Sequence, residues 1–374
     1  MAGRTVRALF VSHAYVVGVN QRKLHALAAA GVQVGLLAPR RWPSSDWGRE
    51  MVLERPYPEI RLYPSEAWFA GRGGAYVFPP GAFRAALRDF RPDIVQVEQE
   101  VFANVSLQAA IHTRAARIPL VVFGWENLDL RLSCARRWVR SRVLKAARLV
   151  VAGNREAEAL VRTWGYQGPI EVMPQLGVDP VRFAPRPRPA GEPFTIGYVG
   201  RVTREKGIDL LLDAARSLRD RGRTFHIHVC GTGPAEEQLR GMSGRLGLDG
   251  MLRWRGAVSH AQVPEEIAQL DVLVLPSRTV EGWKEQFGHV LIEAMCMRVP
   301  AVGADSGEIP RVIGRDDMVF PENDAGALAG ILDRLMGDAG WRAEVAGSAE
   351  KRVHEHYTDE QLSRRLLAAW RRVL

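Results

Sequence analysis

Short apolar runs recur along the chain, each followed by a polar or glycine-bearing turn and then by a stretch with helical spacing. The runs at 6–11, 32–37, 93–97, 120–123, 149–151 and 170–173 read as strands in the first half. Those at 194–199, 225–230, 252–255, 272–275 and 299–302 read as strands in the second half. Helical spacing marks 20–30, with Leu24, Leu27 and Ala28 on one face, and also 79–90, 208–221, 264–270 and 288–297. Gly18 suits the first turn and Asn20 is placed to cap the first helix. Strands alternating with helices predict an α/β chain with parallel, doubly wound sheets. Residues 40–80 show no period and read as irregular loops, carrying Trp42, Trp47, Trp68, Phe69 and Gly71–Gly74. Pro180, Pro185, Pro187, Pro189 and Pro193 form the clearest linker. The first turn lacks the glycine pattern of a dinucleotide fingerprint, which argues against a nicotinamide enzyme.

Chemistry concentrates in Glu285-Gln-Phe-Gly288-His-Val-Leu-Ile-Glu293. The helix expected at 288–297 is apolar on nearly every side, through Val290, Leu291, Ile292, Ala294, Met295 and Cys296, and such a helix is buried. Glu285 and Glu293 there need donors, and hydroxyls of a sugar or a ribose would serve. Gly288 opens the helix start to a phosphate. A buried helix with two capped or salt-bridged glutamates is the competing reading. Upstream, Gly200, Arg201, Lys206 and Gly207 follow a strand, as a diphosphate-binding turn requires. Gly231 and Gly233 make a second tight turn, and Pro276-Ser277 a third. Ligands of open α/β sheets bind beyond the carboxyl ends of strands. Glu98, Glu100, Trp125, Glu126 and Asn127 are therefore first-half candidates, although a lone acid at such an end also serves loops.

Length and charge sharpen the picture. A chain of 374 residues suggests two domains. The net charge of +9 is uneven: residues 1–190 carry 27 Lys and Arg against 15 Asp and Glu, and the remainder carry 24 against 27. The basic half points to an anionic or membrane-presented partner. Arg131, Arg136, Arg137, Arg140, Arg142, Lys145 and Arg148 lie in an acid-free segment with Trp138, Val139, Val143 and Leu144 at near-helical spacing. Such a helix suits an anionic membrane surface or an ordinary solvated face. No zinc-finger or RNA-binding motif supports a nucleic-acid partner. No run is long enough to span a membrane, and the amino-terminal residues read as leading into a strand, not as a signal peptide. Cys134, Cys230 and Cys296 are far apart and read as free thiols in a reducing cytoplasm, without a metal site.

The series Gly200-Arg201…Glu205-Lys206-Gly207, Gly231-Thr-Gly233, Pro276-Ser277 and Glu285-x7-Glu293 resembles retaining glycosyltransferases of family 4. Gly177-Val-Asp179 with Phe183 resembles the family's signature before the linker. The resemblance is close over 194–313 and loose in motif over 1–176. It implies the GT-B fold: two doubly wound Rossmann-like domains facing each other across a cleft. It divides the chain into an acceptor-binding domain at 1–185, a nucleotide-sugar-binding domain at 186–355, and a final helix at 356–374 crossing back to the first. It implies transfer of a sugar from a UDP- or GDP-sugar to an acceptor hydroxyl, with no obligatory cofactor or metal. Arg201 and Lys206 would hold the diphosphate, Glu285 the donor sugar and Glu293 the ribose. Phe287, Gly288 and His289 would offer backbone groups. Gly200, Gly231, Gly233, Ser277 and Val258 would flank the nucleotide, and Gly18 would approach it from the first domain. The family's acceptor-side histidine is replaced by Trp125-Glu126-Asn127, which leaves Glu126, Asn127 or His13 to position the acceptor. A sugar phosphorylase or epimerase, or a binding protein without turnover, remain the alternatives. The protein is expected in the cytoplasm, with a peripheral place on the inner membrane face open, and its oligomeric state is left undetermined.

Overall fold

The computed structural model describes residues 5–44, 49–188 and 192–374. Trp47 and Pro189, named above, lie outside the described residues. The chain divides into two compact units, Met1–Gly177 with Asp359–Leu374, and Val178–Thr358.

The first unit contains β1 (Arg7–Val11), β2 (Gln33–Pro39), β3 (Arg41–Ser44), β4 (Arg49–Val52), β5 (Arg61–Ser65), β6 (Ile94–Glu98), β7 (Leu120–Gly124), β8 (Ala147–Ala152) and β9 (Ile170–Val172). Seven of these form one parallel sheet in the order β5-β2-β1-β6-β7-β8-β9. Its central strands are buried on both faces, which is why they read as continuous apolar runs. Helices α1 (Arg22–Ala29), α2 (Pro80–Phe90), α3 (Asn104–Ala116), α4 (Cys134–Ala146) and α5 (Arg155–Thr163) connect the strands.

Three local expectations change. Residues 40–80 are not all loop: β3 and β4 pair antiparallel, and β5 joins the sheet beside β2. As an edge strand β5 has one neighbour and tolerates Pro64, so no apolar period announces it. Asn20 does not cap α1; its side chain donates to the Ala14 carbonyl at 2.7 Å, and a 3-10 turn at Gly18–Gln21 precedes the helix. The basic segment is helical only from Cys134, because the Ser133 hydroxyl caps it by accepting the Arg136 amide at 3.3 Å.

In the second unit β10 (Thr195–Val199), β11 (His226–Cys230), β12 (Leu252–Gly256), β13 (Val272–Leu275), β14 (Ala301–Ala304) and β15 (Val319–Phe320) form a parallel sheet in the order β12-β11-β10-β13-β14-β15. Its helices are α6 (Ile208–Asp220), α7 (Glu236–Arg245), α8 (Val263–Ile267), α9 (His289–Cys296), α10 (Ile309–Ile313), α11 (Ala325–Gly337) and α12 (Ala339–His356). Pro264 occupies the first turn of α8. The unit begins ahead of the proline run: the Val178 amide donates to the Tyr357 carbonyl at 2.9 Å, and Val178 and Phe183 are buried in the second core.

The last helix, α13 (Asp359–Arg371), packs in the first unit against α1. Leu362, Leu366, Ala369 and Trp370 are buried there. The Trp370 indole donates to Gln96 at 2.9 Å, and the Ser363 hydroxyl to the Lys23 carbonyl at 3.1 Å. Cys230 and Cys296 are buried free thiols, and Cys134 is an exposed one.

Candidate functional site

In the second sheet the order reverses between β10 and β13, the position where open α/β sheets form a crevice at their carboxyl ends. Three glycine turns interlock there. Gly207 has φ 68°, and a Cβ on it would meet the Pro276 carbonyl at 2.0 Å. A Cβ on Gly231 would meet the Gly200 carbonyl at 1.8 Å, and one on Gly233 the Val202 carbonyl at 2.2 Å. The loops after β10, β11 and β13 are thus pinned at backbone contact, which only glycine permits.

That packing brings together residues far apart in sequence. The Lys206 ammonium donates to Glu285 Oε2 at 2.6 Å and lies 4.9 Å from the Trp283 ring centre. The buried Ser277 hydroxyl donates to the same oxygen at 2.9 Å. Glu285 is therefore salt-bridged to Lys206, between the loops that follow β10 and β13. Arg201 is exposed on the first turn, which the Tyr198 hydroxyl anchors by donating to the Arg201 carbonyl at 2.6 Å. Gly288, at φ 79°, opens α9. Phe287 is buried beneath it, with its ring centre 4.9 Å from that of His289. Glu293 is half-buried within α9, with His260 Nε2 at 3.6 Å from its carboxylate. Val258 packs half-buried on the core near that histidine.

The first sheet reverses between β1 and β6, and a cavity of about 830 Å³ opens at that end. Glu100, Trp125 and Glu126 line it, together with His13, Trp42, Tyr76, Gln99, Phe102 and Arg136. Glu100 Oε1 accepts the Trp125 and Glu126 amides at 2.8 and 3.1 Å. Burial nevertheless pushes its pKa up to about 8; those amides oppose the shift, and the neighbouring Glu126 carboxylate adds to it. Burial also raises Glu126, whose Oε1 accepts the Leu128 amide at 3.1 Å. His13 is pushed down to about 4 by burial, so its imidazole is neutral at physiological pH. Its ring centre lies 4.3 Å from that of Trp42, and Trp42 lies 5.0 Å from Tyr76.

Other first-half candidates fall elsewhere. Glu98 is fully buried in the interior, accepting from Tyr15, Lys23, Gln96 and Gln175 at 2.6, 2.8, 2.7 and 3.0 Å; it is a packing hub and does not line the cavity. Asn127 is buried and is not among the cavity's lining residues. The Gly18 amide donates to Glu54 Oε2 at 2.6 Å. No functional signal marks Tyr76 or Gln99 in the sequence, since they lie in or beside aperiodic loops. Trp42 was legible only as a loop aromatic. Among the described residues no cluster of three metal-binding side chains occurs, and no helix is long and apolar enough to cross a membrane.

Two doubly wound parallel sheets, each with a switch point where its strand order reverses, make this a GT-B protein. Residues 182–352 match the family described as Glycosyl transferases group 1, and residues 19–176 match the Glycosyl transferase 4-like domain. The chain belongs to the group 1 glycosyltransferases. A putative colanic acid biosynthesis glycosyltransferase, WcaL of Escherichia coli, is 33% identical over 51% of this chain and 48% of its own length, so the match spans about half of that relative. The 2-deoxystreptamine N-acetyl-D-glucosaminyltransferase of Streptomyces fradiae is 28% identical over 79% of this chain and 74% of its own. Among solved structures, a sucrose-phosphate synthase from Thermosynechococcus elongatus aligns with TM-score 0.73 at 20% identity, covering 99% of each chain. HepE of Anabaena, in complex with UDP, aligns with TM-score 0.71 at 16% identity, covering 99% of this chain and 100% of its own.

Proposed function

We propose that this protein is a retaining glycosyltransferase that moves a sugar from a UDP- or GDP-sugar to an acceptor hydroxyl. The observation that carries the reading is the convergence of Lys206 and Ser277 on one carboxylate oxygen of Glu285, beside three backbone-tight glycine turns. Departure of a nucleoside diphosphate places new negative charge on phosphate oxygens, and fixed cations aimed at that charge lower the barrier. Lys206 and the exposed Arg201 fill this role, and the amides opening α9 at Gly288 and His289 add to it. Glu285 accepts hydrogen bonds from the donor sugar, with Ser277 and Lys206 holding its carboxylate in place. Glu293 accepts from the ribose hydroxyls, and the segment at Val258 with the Gly231 and Gly233 turn borders the base. In the first unit, the cavity bearing Glu126 takes the acceptor, whether lipid-linked, polysaccharide or natural product. The relatives named for colanic acid biosynthesis and for glycosylation of 2-deoxystreptamine support the polysaccharide and natural-product acceptors. We infer a cytoplasmic enzyme whose basic first unit meets an anionic or membrane-presented acceptor.

A thermal-shift panel of nucleotides and nucleotide sugars, on the wild type and on Glu293→Ala, tests the donor assignment. A ligand at a hundred times its Kd stabilises the folded state by about 2.7 kcal/mol. One nucleotide series raising Tm in the wild type and losing most of that shift in the variant supports the reading. No shift with any nucleotide at saturation refutes it.

A further inference from the structure

One short segment holds Lys206 from two sides. The ammonium donates to Glu285 Oε2 at 2.6 Å and lies 4.9 Å from the centre of the Trp283 ring. Trp283 and Glu285 stand two residues apart, and the chain leading to them is tied down. The Arg278 amide donates to the Glu205 carbonyl at 2.8 Å, and its guanidinium to Asp209 at 2.7 Å. The Thr279 amide and hydroxyl both donate to the Glu322 carboxylate, at 2.8 and 2.6 Å. A tight turn at Glu281-Gly282 follows, with Gly282 at φ 75°. Val280 and Trp283 close it by exchanging backbone hydrogen bonds at 3.0 and 3.2 Å. That closed turn fixes where the Trp283 backbone stands, and so where its ring starts.

The kind of side chain at 283 matters because Lys206 is mostly withdrawn from water, its side chain being 14% exposed. An ammonium has three N–H donors. Among the described residues Glu285 is the one hydrogen-bond acceptor of that ammonium, so donors are left over. An aliphatic side chain in place of Trp283 would desolvate the cation and return nothing. A second carboxylate would attract the cation but would also repel an incoming phosphate. The face of an indole attracts the cation through its quadrupole and adds no negative charge. The ion pair and the ring together hold the ammonium while leaving donors for an anion.

We propose that Trp283 is a positioning residue for donor binding. Its indole face holds the Lys206 ammonium beside Glu285, so that the remaining N–H donors serve the sugar-bearing phosphate of the nucleoside diphosphate. The inference rests on the transferase reading, in which Glu285 takes the donor sugar and Lys206 meets the phosphate attached to it. Trp283 acts through Lys206 and does not itself touch the donor.

The test is calorimetric binding on the whole chain, with UDP and GDP each compared with its monophosphate. A monophosphate lacks the phosphate that Lys206 serves, so it reports whether the rest of the nucleotide site is intact. Trp283→Leu should weaken the bound diphosphate about fivefold, the size of one partly desolvated cation–π contact, and leave its monophosphate unchanged. Trp283→Phe keeps a weaker aromatic face and should lose about twofold, again on the diphosphate alone. In a Lys206→Met background Trp283→Leu should cost nothing more, because its effect runs through the missing ammonium. Unchanged diphosphate affinity in Trp283→Leu overturns the proposal. So does equal weakening of monophosphate and diphosphate, or a loss that persists undiminished beside Lys206→Met. If Trp283→Leu melts too low to titrate, Trp283→Phe carries the test with the same outcomes. A wild type that binds neither diphosphate refutes the transferase reading and this inference with it, whereas one that binds a diphosphate equally well in every Trp283 variant refutes this inference alone.

Discussion

Glu98 and Glu100 stand two residues apart, and the same substitution by glutamine should move stability in opposite directions. Glu98 is fully buried and paired with Lys23, itself 1% exposed, and three neutral donors complete its shell. Glu98→Gln would leave the Lys23 ammonium buried against an amide and turn an NH₂ toward donors. Breaking a buried pair in this way costs about 3–5 kcal/mol. Glu100 has the reverse problem. Its carboxyl titrates at about 8 in the fold against an ordinary 4.5, because burial disfavours the charged form. A raised carboxyl pKa means the folded state holds its proton longer than the unfolded state. Stability from this group is therefore present at low pH and lost as pH rises from about 4.5 to about 8. At ~1.4 kcal/mol per pH unit the loss is at most ~5 kcal/mol. Part of Glu100 faces the open cavity, where water screens it, so we take about half, ~2 kcal/mol. Glutamine still accepts the Trp125 and Glu126 amides but carries no charge. Glu100→Gln should match the wild type near pH 5 and exceed it by about 2 kcal/mol near pH 9. Native-state hydrogen exchange at the β6 and β7 amides reads the first unit without interference from the second. Equal destabilisation by both substitutions, or a wild-type-minus-Glu100→Gln difference that is flat with pH, would refute the assignment of one carboxyl to the interior and the other to the cavity.

Three further outcomes follow from the same geometry. Gly207→Ala should cost several kcal/mol, or prevent the second unit from folding, because the Cβ would sit 2.0 Å from the Pro276 carbonyl at φ 68°; a variant with wild-type Tm and nucleotide binding would show that the turn is not pinned as described. Lys206→Met should lower sugar-transfer kcat by about 10²–10³-fold, as lost electrostatic stabilisers do, and leave Glu285 without its ammonium; steady-state kinetics with unchanged kcat would remove Lys206 from the mechanism. The α4 face, where Trp138 is 52% exposed and Arg142 stacks over it at 5.2 Å, should bind anionic vesicles at low salt and release them at high salt; sedimentation with neutral vesicles equal to that with anionic ones would show the basic helix to be an ordinary solvated surface.

The second unit was the more legible because its chemistry is written in glycines. A glycine whose missing Cβ lets two carbonyl-bearing loops touch leaves a mark in the sequence, and Gly207, Gly231 and Gly233 all have this reason. Helix caps are also written in the sequence. The Asn154, Asp324 and Asp338 side chains each accept an amide three residues on, at 2.7, 2.8 and 2.8 Å, and they open α5, α11 and α12. None of these three helices was anticipated. In α12, small and charged residues are interspersed, and the buried Val345, Ala346, Ala349 and Val353 make a thin stripe.

The first unit resisted reading because its cavity is built where strand periodicity stops. Within β6 the alternation of faces says little, since every residue from Ile94 to Glu98 is buried. Beyond Glu98 the chain leaves the ladder, so nothing in the spacing tells that Glu98 turns inward to Lys23 while Glu100 turns to the cavity. The partners that decide it are remote: Lys23 lies 75 residues before Glu98, and the amides held by Glu100 lie 25 and 26 residues after it. The same holds for the aromatic wall, where Trp42 comes from the β3–β4 ribbon and Tyr76 from the loop beyond β5. A carboxylate at a strand end acquires its chemistry from whichever of these remote segments the fold delivers to it, and that delivery is a property of the packed sheet, not of the local sequence. Opposite signs for Glu98→Gln and Glu100→Gln would be the thermodynamic expression of that difference, measured on two residues that look alike in one dimension.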